Sequence, residues 1–258
     1  GSKCGICQCG HVIRLFAPKE SAKTLKKEVI ISIKGKKDQL NYMWRRDASQ
    51  WANSAPILFP IVGALKNDTC VINGKEYHMT QHGFARHNEF ETNQVSDTEV
   101  IFSLKSNDEI IKQYPFLFEL NVTYRLVENK LKCHIEVKNT DHQPIYFQVG
   151  GHPAFACPFM ENESSNDYYL EFSENETCNR KIIDVEKRGM SRVEKPFFDN
   201  EKRFFVRQEL FNTDAIVIKN FKSENIALKS LNHDKSIVFH MNGFDHVGLW
   251  AAKHVGGL

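Results

Sequence analysis

No stretch of this 258-residue chain approaches the roughly 20 consecutive apolar residues of a membrane-spanning helix. Its opening also lacks the basic-then-apolar pattern of a secretory signal. Neither a membrane partner nor export is expected, and the chain reads as soluble and cytoplasmic. Charge of one sign is missing too. The 34 Lys and Arg nearly balance 32 Asp and Glu, for a net charge of +2, so there is no electrostatic case for a nucleic-acid partner. There is no Pro/Gly/Ser-rich linker, repeat or low-complexity tract, so residues 1–258 read as one domain. The 7 cysteines are an odd number and are scattered after residue 10, which suits a reducing compartment rather than a disulfide framework. The glycosylation-type triplets at Asn67, Asn121, Asn162 and Asn175 are then chance matches. Cys4, Cys7, Cys9 and His11 have a spacing that could present zinc ligands, but a structural zinc site usually pairs two Cys-x2-Cys knuckles and no second one follows. Neither a metal nor an organic cofactor is expected.

A chain of this length with 41% hydrophobic residues can bury a large core. From Leu40 onward the side-chain period is two. Phe116, Phe118, Leu120, Val122, Tyr124 and Leu126 alternate with polar residues, as do Leu131, Cys133, Ile135 and Val137. That pattern marks strands with one buried and one wetter face. Glu128-Asn129-Lys130 fits a tight hairpin between those two runs. Further strands are expected at Ile145–Val149, Tyr168–Phe172, Ala215–Ile218, Ile226–Leu228 and Ser236–Met241. Ser106-Asn107-Asp108-Glu109 resembles a capping box for one short helix that Pro115 ends. Many strands with hardly any helix imply an all-β fold, a large antiparallel β-sandwich.

Two histidines stand out. One lies in Gln81-His82-Gly83-Phe84-Ala85-Arg86, the other in Gly150-Gly151-His152-Pro153-Ala154-Phe155. Each sits at a glycine-containing bend beside a phenylalanine. Glycine lets backbone come close to a ligand, and imidazole titrates near neutrality, so two such groups facing one pocket could move protons. The competing reading is a pair of core or loop histidines satisfied by backbone carbonyls. His78 and His87 flank the first motif and read as solvated strand residues. Cys157 reads as a small core hydrophobe, since no base is placed to make it a nucleophile. Trp44, Trp51 and Trp250 could stack on a sugar face, although buried structural tryptophans are commoner.

Taken in order, Leu58-Phe59-Pro60-Ile61-Val62-Gly63, His82-Gly83-Phe84-Ala85-Arg86, Gly150-Gly151-His152-Pro153-Ala154-Phe155 and Gly248-Leu249-Trp250 resemble the aldose 1-epimerase (galactose mutarotase-like) family. The likeness is closest to its bacterial branch and runs from about Asn41 to Trp250. It implies a mutarotase-like supersandwich holding a hexose such as galactose or glucose on one concave face. It also implies interconversion of α and β anomers by acid/base ring opening, in a monomer or homodimer. On this resemblance His152 is the acid at the ring oxygen, and His82 binds and polarises the sugar beside it. Arg86 contacts a sugar hydroxyl and Asp214 accepts hydroxyl hydrogens; their competing readings are a surface ion pair and a turn cap. Val29-Ile30-Ile31-Ser32-Ile33 resembles what remains of a family strand whose glycine and acidic residue are displaced here.

Two departures bear on function. Relatives acting on sugar phosphates carry an arginine directly after the glycine that Gly63 matches, and Ala64 stands there instead. One arginine fork fewer favours a free hexose over a hexose 6-phosphate. The family's basic glutamate follows the Gly-Leu-Trp strand, whereas the last glutamate here is Glu224 and the chain given ends at Leu258. Either C-terminal strands are missing from residues 1–258, or the protein is a non-catalytic carbohydrate-binding homologue.

Overall fold

The computed structural model describes residues 11–16, 24–34, 40, 42–44, 46–184, 189–212, 214–241 and 243–251, with only the backbone of 11–16, 24–34 and 208. The Cys4/Cys7/Cys9 segment lies outside this description, as do residues 17–23, 35–39 and 252–258.

Strands dominate, as the period of two requires. The two alternating runs form Phe118–Val127 and Lys130–Asn139, paired antiparallel down to Val127 opposite Lys130. Their turn is Glu128-Asn129, with Glu128 at φ +54°. Phe118, Leu120 and Val122 from one strand and Ile135 and Val137 from the other are at most 2% exposed. Each contributes about 1.5–3 kcal/mol by leaving water. The lone described α-helix, Asp108–Gln113, is capped by Asn107, whose side chain accepts from Glu109 N and Ile110 N. The cap therefore falls one residue later than a box on Ser106 would put it; the Ser106 hydroxyl instead accepts from Phe118 N.

One continuous antiparallel path starts with Ile57–Leu58, Gly150–Gly151, His11–Phe16, His246–Ala251 and Ile216–Lys219. It ends with Asn225–Ser230, Ser236–His240, Thr24–Lys34, Lys130–Asn139, Phe118–Val127, Glu99–Lys105 and Glu91–Ser96. Thr24–Lys34 contains the apolar run Val29–Ile33. Between the two groups runs Tyr168–Asp184, whose first residues pair with Asn225–Ser230 and whose Arg180 and Lys181 pair with Ile218 and Val217. Residues from both groups share one core, Val247 and Leu249 from the first with Ile237 and Phe239 from the second. The strand expected at Ile145–Val149 is extended but forms no ladder. Ile145, Phe147 and Val149 are buried, while Gln148 N bonds Pro60 O. Alternation there reflects packing against an irregular segment, not a sheet.

The strands nearest the glycine motifs present two apolar faces. Val247, Leu249 and Ala251 point into the main core with Ile216 and Ile218. Trp250 turns the other way and packs with Ala215, Val217 and Val62. Trp44, Ala154 and Trp51 continue this second face.

Candidate active site

Residues 56–63 are the spine of the site. On one side, Ile57–Leu58 pairs with Gly150–Gly151, and His152 N donates to Pro56 O at 3.1 Å. On the other, Phe59 O accepts from Phe84 N and Ala85 N at 3.1 and 3.2 Å. One short extended segment thus joins two motifs that lie 70 positions apart in the chain.

Gly83 makes the second attachment possible. It adopts φ +70°, and a Cβ there would lie 2.3 Å from Phe59 O and 2.6 Å from Phe59 C. The glycine of the His82 motif therefore serves the approach of backbone to backbone, not of backbone to ligand. His82 itself sits in the left-handed region at φ +68°, a position that costs a non-glycine residue on the order of 1–3 kcal/mol. Two reciprocal bonds hold it there. His82 N donates to Gly63 O at 2.7 Å, and Gly63 N donates to His82 Nδ1 at 3.0 Å. Because a backbone N–H can only donate, Nδ1 is an acceptor, and the neutral ring carries its proton on Nε2.

The two imidazoles come together. His82 and His152 are both buried, with ring centroids 5.8 Å apart at 68°. Trp51 lies 4.9 Å from the His152 ring and Trp250 lies 6.2 Å from it. Trp51 is held by Trp44, whose indole Nε1 donates to Trp51 O at 2.9 Å. Of the three tryptophans, Trp44 is the buried structural one, while the half-buried Trp51 and Trp250 edge the histidine pair.

The other two expected residues stand at the margin. Arg86 is half-buried; its Nη2 donates to Gln81 O and its Nε to His87 Nε2. Burial lowers the pKa of Arg86, and burial followed by the nearby Arg86 charge lowers that of His87. His87 lies in the 3-10 turn Ala85–His87 rather than in a strand. Asp214 is half-buried, and its Oδ1 accepts from the N–H of the next residue, Ala215, at 2.6 Å. Its neighbour Ala215 belongs to the face shared with Trp250, so Asp214 enters the strand beside that face. Cys157 is fully buried in the core. Among the described residues, no three His, Cys, Asp or Glu side chains converge as metal ligands.

Sequence reasoning missed the part played by backbone at Gly63, and it missed Gln148. The Gln148 Oε1 accepts from Val62 N at 3.1 Å and steadies the spine just before Gly63. The position of Gly63 two residues after Ile61 carried no signal of a bond to His82.

The fold is thus an antiparallel β-sandwich with two buried histidines beside tryptophans on a second apolar face. The chain belongs to the aldose 1-epimerase family, whose model matches residues 29–255. It is 36% identical to the plasmid-encoded protein LacX of Lactococcus lactis subsp. lactis, over 87% of this chain and 77% of that protein. The chromosomal LacX of the same organism is 35% identical over the same shares. Among solved structures it is similar to a galactose mutarotase-like protein from Lactobacillus casei, with 29% identity and a TM-score of 0.72, over 83% of this chain and 73% of that chain. It is also similar to a galactose mutarotase related enzyme from Lactobacillus acidophilus, with 25% identity and a TM-score of 0.70, over 83% and 87% of the two chains. The expected galactose mutarotase-like sandwich is thus the fold of this protein.

Proposed function

We propose that the protein is an aldose 1-epimerase that interconverts the α and β anomers of a free hexose. The observation that carries this reading is the approach of two buried imidazoles to 5.8 Å, one of them fixed in its tautomer by Gly63 N. Ring opening needs a proton delivered to the ring oxygen while the anomeric hydroxyl loses one. His82, with its proton on Nε2, donates a hydrogen bond and polarises the ring oxygen. His152 is then the group that delivers the proton and takes it back on closure from the other face. Trp51 and Trp250 give the pyranose apolar surface to lie against. Arg86 and Asp214 take the hydroxyls at the margin, each giving up part of its local bonding to do so.

The acceptor for the anomeric proton is, by the family resemblance, a glutamate that follows the Gly248-Leu249-Trp250 strand. Within residues 1–258 the last glutamate is Glu224, which precedes that strand. Residues 1–258 alone are expected to bind hexose weakly and to speed mutarotation little. A chain with a glutamate-bearing strand after Trp250 should be faster by roughly 10²- to 10⁴-fold, the usual worth of a positioned base. Ala64 beside the spine favours a free sugar over its 6-phosphate, because no arginine fork follows Gly63. Polarimetry on fresh α-glucose, α-galactose and glucose 6-phosphate tests the reading. Preference for the phosphate would replace it with hexose-6-phosphate 1-epimerase. Binding of hexose with no acceleration in any length of chain would leave a non-catalytic sugar-binding protein.

A further inference from the structure

The hairpin Thr69–Ile72 and Lys75–His78 stands apart from the main sheet. Its strands pair with each other and, among the described residues, with no other strand. Asn73 and Gly74 close it at φ +50° and +78°, the left-handed pair that a two-residue hairpin turn requires. At its base Met79 N donates to Asp68 O at 2.8 Å. The chain reaches this hairpin soon after Gly63 and leaves it just before His82. It therefore connects the two residues that hold each other by reciprocal bonds in the site.

A cavity of about 490 Å³ lies against the hairpin. Cys70, Val71 and Ile72 give it an aliphatic wall, and Phe116 and Tyr146 an aromatic one. It is separate from the histidine pocket. Ile61, which lines it, packs against the main core, whereas the next residue, Val62, packs with Trp250 on the other face. Val71 and Tyr146 are 70% and 50% exposed, so two large apolar side chains stand in water around one opening. The described residues of the lining carry no charge, and Asn73 and Gln148 are its amide members. An ion would lose its hydration there without gaining a partner. A flat, uncharged ring with one polar group suits the lining, because it can meet the two aromatic side chains edge or face on.

We propose that this cavity binds a small uncharged aromatic molecule and that its occupancy moves the clamp between His82 and Gly63. Both halves of the clamp are short extensions of the cavity wall. Pro60 and Ile61 line the cavity and lie just before Gly63, while Met79 lines it three residues before His82. Gln148, also in the lining, holds the same segment twice: its N donates to Pro60 O at 2.8 Å, and its Oε1 accepts from Val62 N at 3.1 Å. A close-packed wall cannot yield on one side without shifting what is bonded to the other. A ligand that favours one hairpin position then favours one His82 position.

Phenol and indole serve as probes, titrated by calorimetry into wild-type protein, Val71→Asp and Tyr146→Ala, with melting temperatures checked. Half-buried Cys70 in the cavity wall reports occupancy locally, through its rate of alkylation by iodoacetamide read by peptide mass spectrometry. The His82 imidazole signals are followed by NMR over the same titration. At least one probe should bind saturably, slow the alkylation of Cys70 and move the His82 signals, all with one dissociation constant. Val71→Asp brings a carboxylate to the opening and Tyr146→Ala removes a ring, so each should weaken binding about tenfold. No saturable binding of either probe overturns the site, as does equal affinity in the wild type and both variants. Binding that protects Cys70 but leaves the His82 signals unmoved overturns the coupling. None of these readouts requires sugar turnover, so loss of the mutarotase reading would leave the test intact.

Discussion

Gly83→Ala strikes the point where the His82 motif is fastened to the spine, and its cost can be worked from the geometry. The substitution places a methyl 2.3 Å from Phe59 O, 2.6 Å from Phe59 C and 2.8 Å from Pro60 Cδ. Two of those three atoms are backbone, so no rotamer change can relieve the overlap. The left-handed φ of +70° adds about 1–2 kcal/mol for any residue bearing a Cβ. Overpacking against a backbone that must move adds about 1–3 kcal/mol more. The sum, about 2–5 kcal/mol, corresponds to a fall of roughly 4–20 °C in melting temperature for a chain of this size. Gly63→Ala is the matched control. Gly63 has φ +86° but nothing within 4 Å of its added Cβ, so it bears only the conformational cost of about 1–2 kcal/mol. The Phe59 carbonyl that Gly83→Ala displaces also accepts from Phe84 N and Ala85 N, so His82 must shift with it. A displacement near 1 Å at a positioning residue can cost about 10²-fold in rate. Thermal melts and polarimetry on both variants are the assay. If Gly83→Ala is no less stable than Gly63→Ala, the close approach of Phe59 does not govern this turn and the reasoning is wrong.

Other substitutions separate roles within and outside the site. His152→Gln should lower kcat by roughly 10²- to 10⁴-fold, the worth of a positioned acid, and near-wild-type polarimetric rates would refute that role. His82→Asn keeps an acceptor for Gly63 N but loses the Nε2 donor, so the fold should persist while kcat/KM drops about 10- to 100-fold; a drop as large as that of His152→Gln would contradict the division of labour. Glu176, 2% exposed, accepts from Lys222 N, Ser223 N and Ser223 Oγ. Glu176→Ala should therefore cost about 2–5 kcal/mol in denaturant melts, with Glu176→Gln costing less; equal costs would mean that the bonds do not set the loss. The backbone N–H of Leu117, which donates to Asp141 at 2.8 Å, holds that carboxyl below the usual aspartate range. The lowered folded pKa means stability that is present above the ordinary value of about 3.9 and is lost as pH falls through the folded value. Asp141→Asn should flatten that acid dependence, and melts between about pH 5 and 2 that superimpose on wild type would refute it.

The central strands were legible because their two faces meet different surroundings. Phe118, Leu120 and Val122 enter the core while Glu119 and Thr123 are only half-buried, and that contrast is what a period of two records. The longest hairpin was legible only at its base. Tyr168–Phe172 alternates around the core, but beyond Ser173 the strand runs on to Asp184 with many residues exposed, including Glu174, Asn175, Thr177 and Asn179. There the inward positions carry residues such as Glu176 and Cys178 rather than large hydrophobics, so the alternation leaves little hydrophobic signal. Ile145–Val149 erred in the opposite sense. Its alternation is real, yet the groups it bonds lie in an irregular spine, so burial without a ladder passed for a strand.

The site follows the same logic one level up. His82 and His152 could be picked out because glycine beside histidine is a local feature, written within six residues of chain. What brings them to 5.8 Å is not local. It depends on the carbonyls of Pro56, Phe59 and Gly63 accepting from the N–H groups of His152, Phe84, Ala85 and His82, and main-chain atoms are the same for every side chain that could stand at those positions. The shared face of Asn179, Lys181 and Lys219 is hidden for a related reason. Its members share a face only through the register of Lys181 with Val217 and of Val217 with Gly248. A shift of one residue in either pairing would turn those side chains to the opposite face. Register is set by the buried Ile216 and Ile218 on the opposite face, which must enter the core. The apolar face thus dictates which polar side chains meet on the other, although those residues carry no mark of it in sequence.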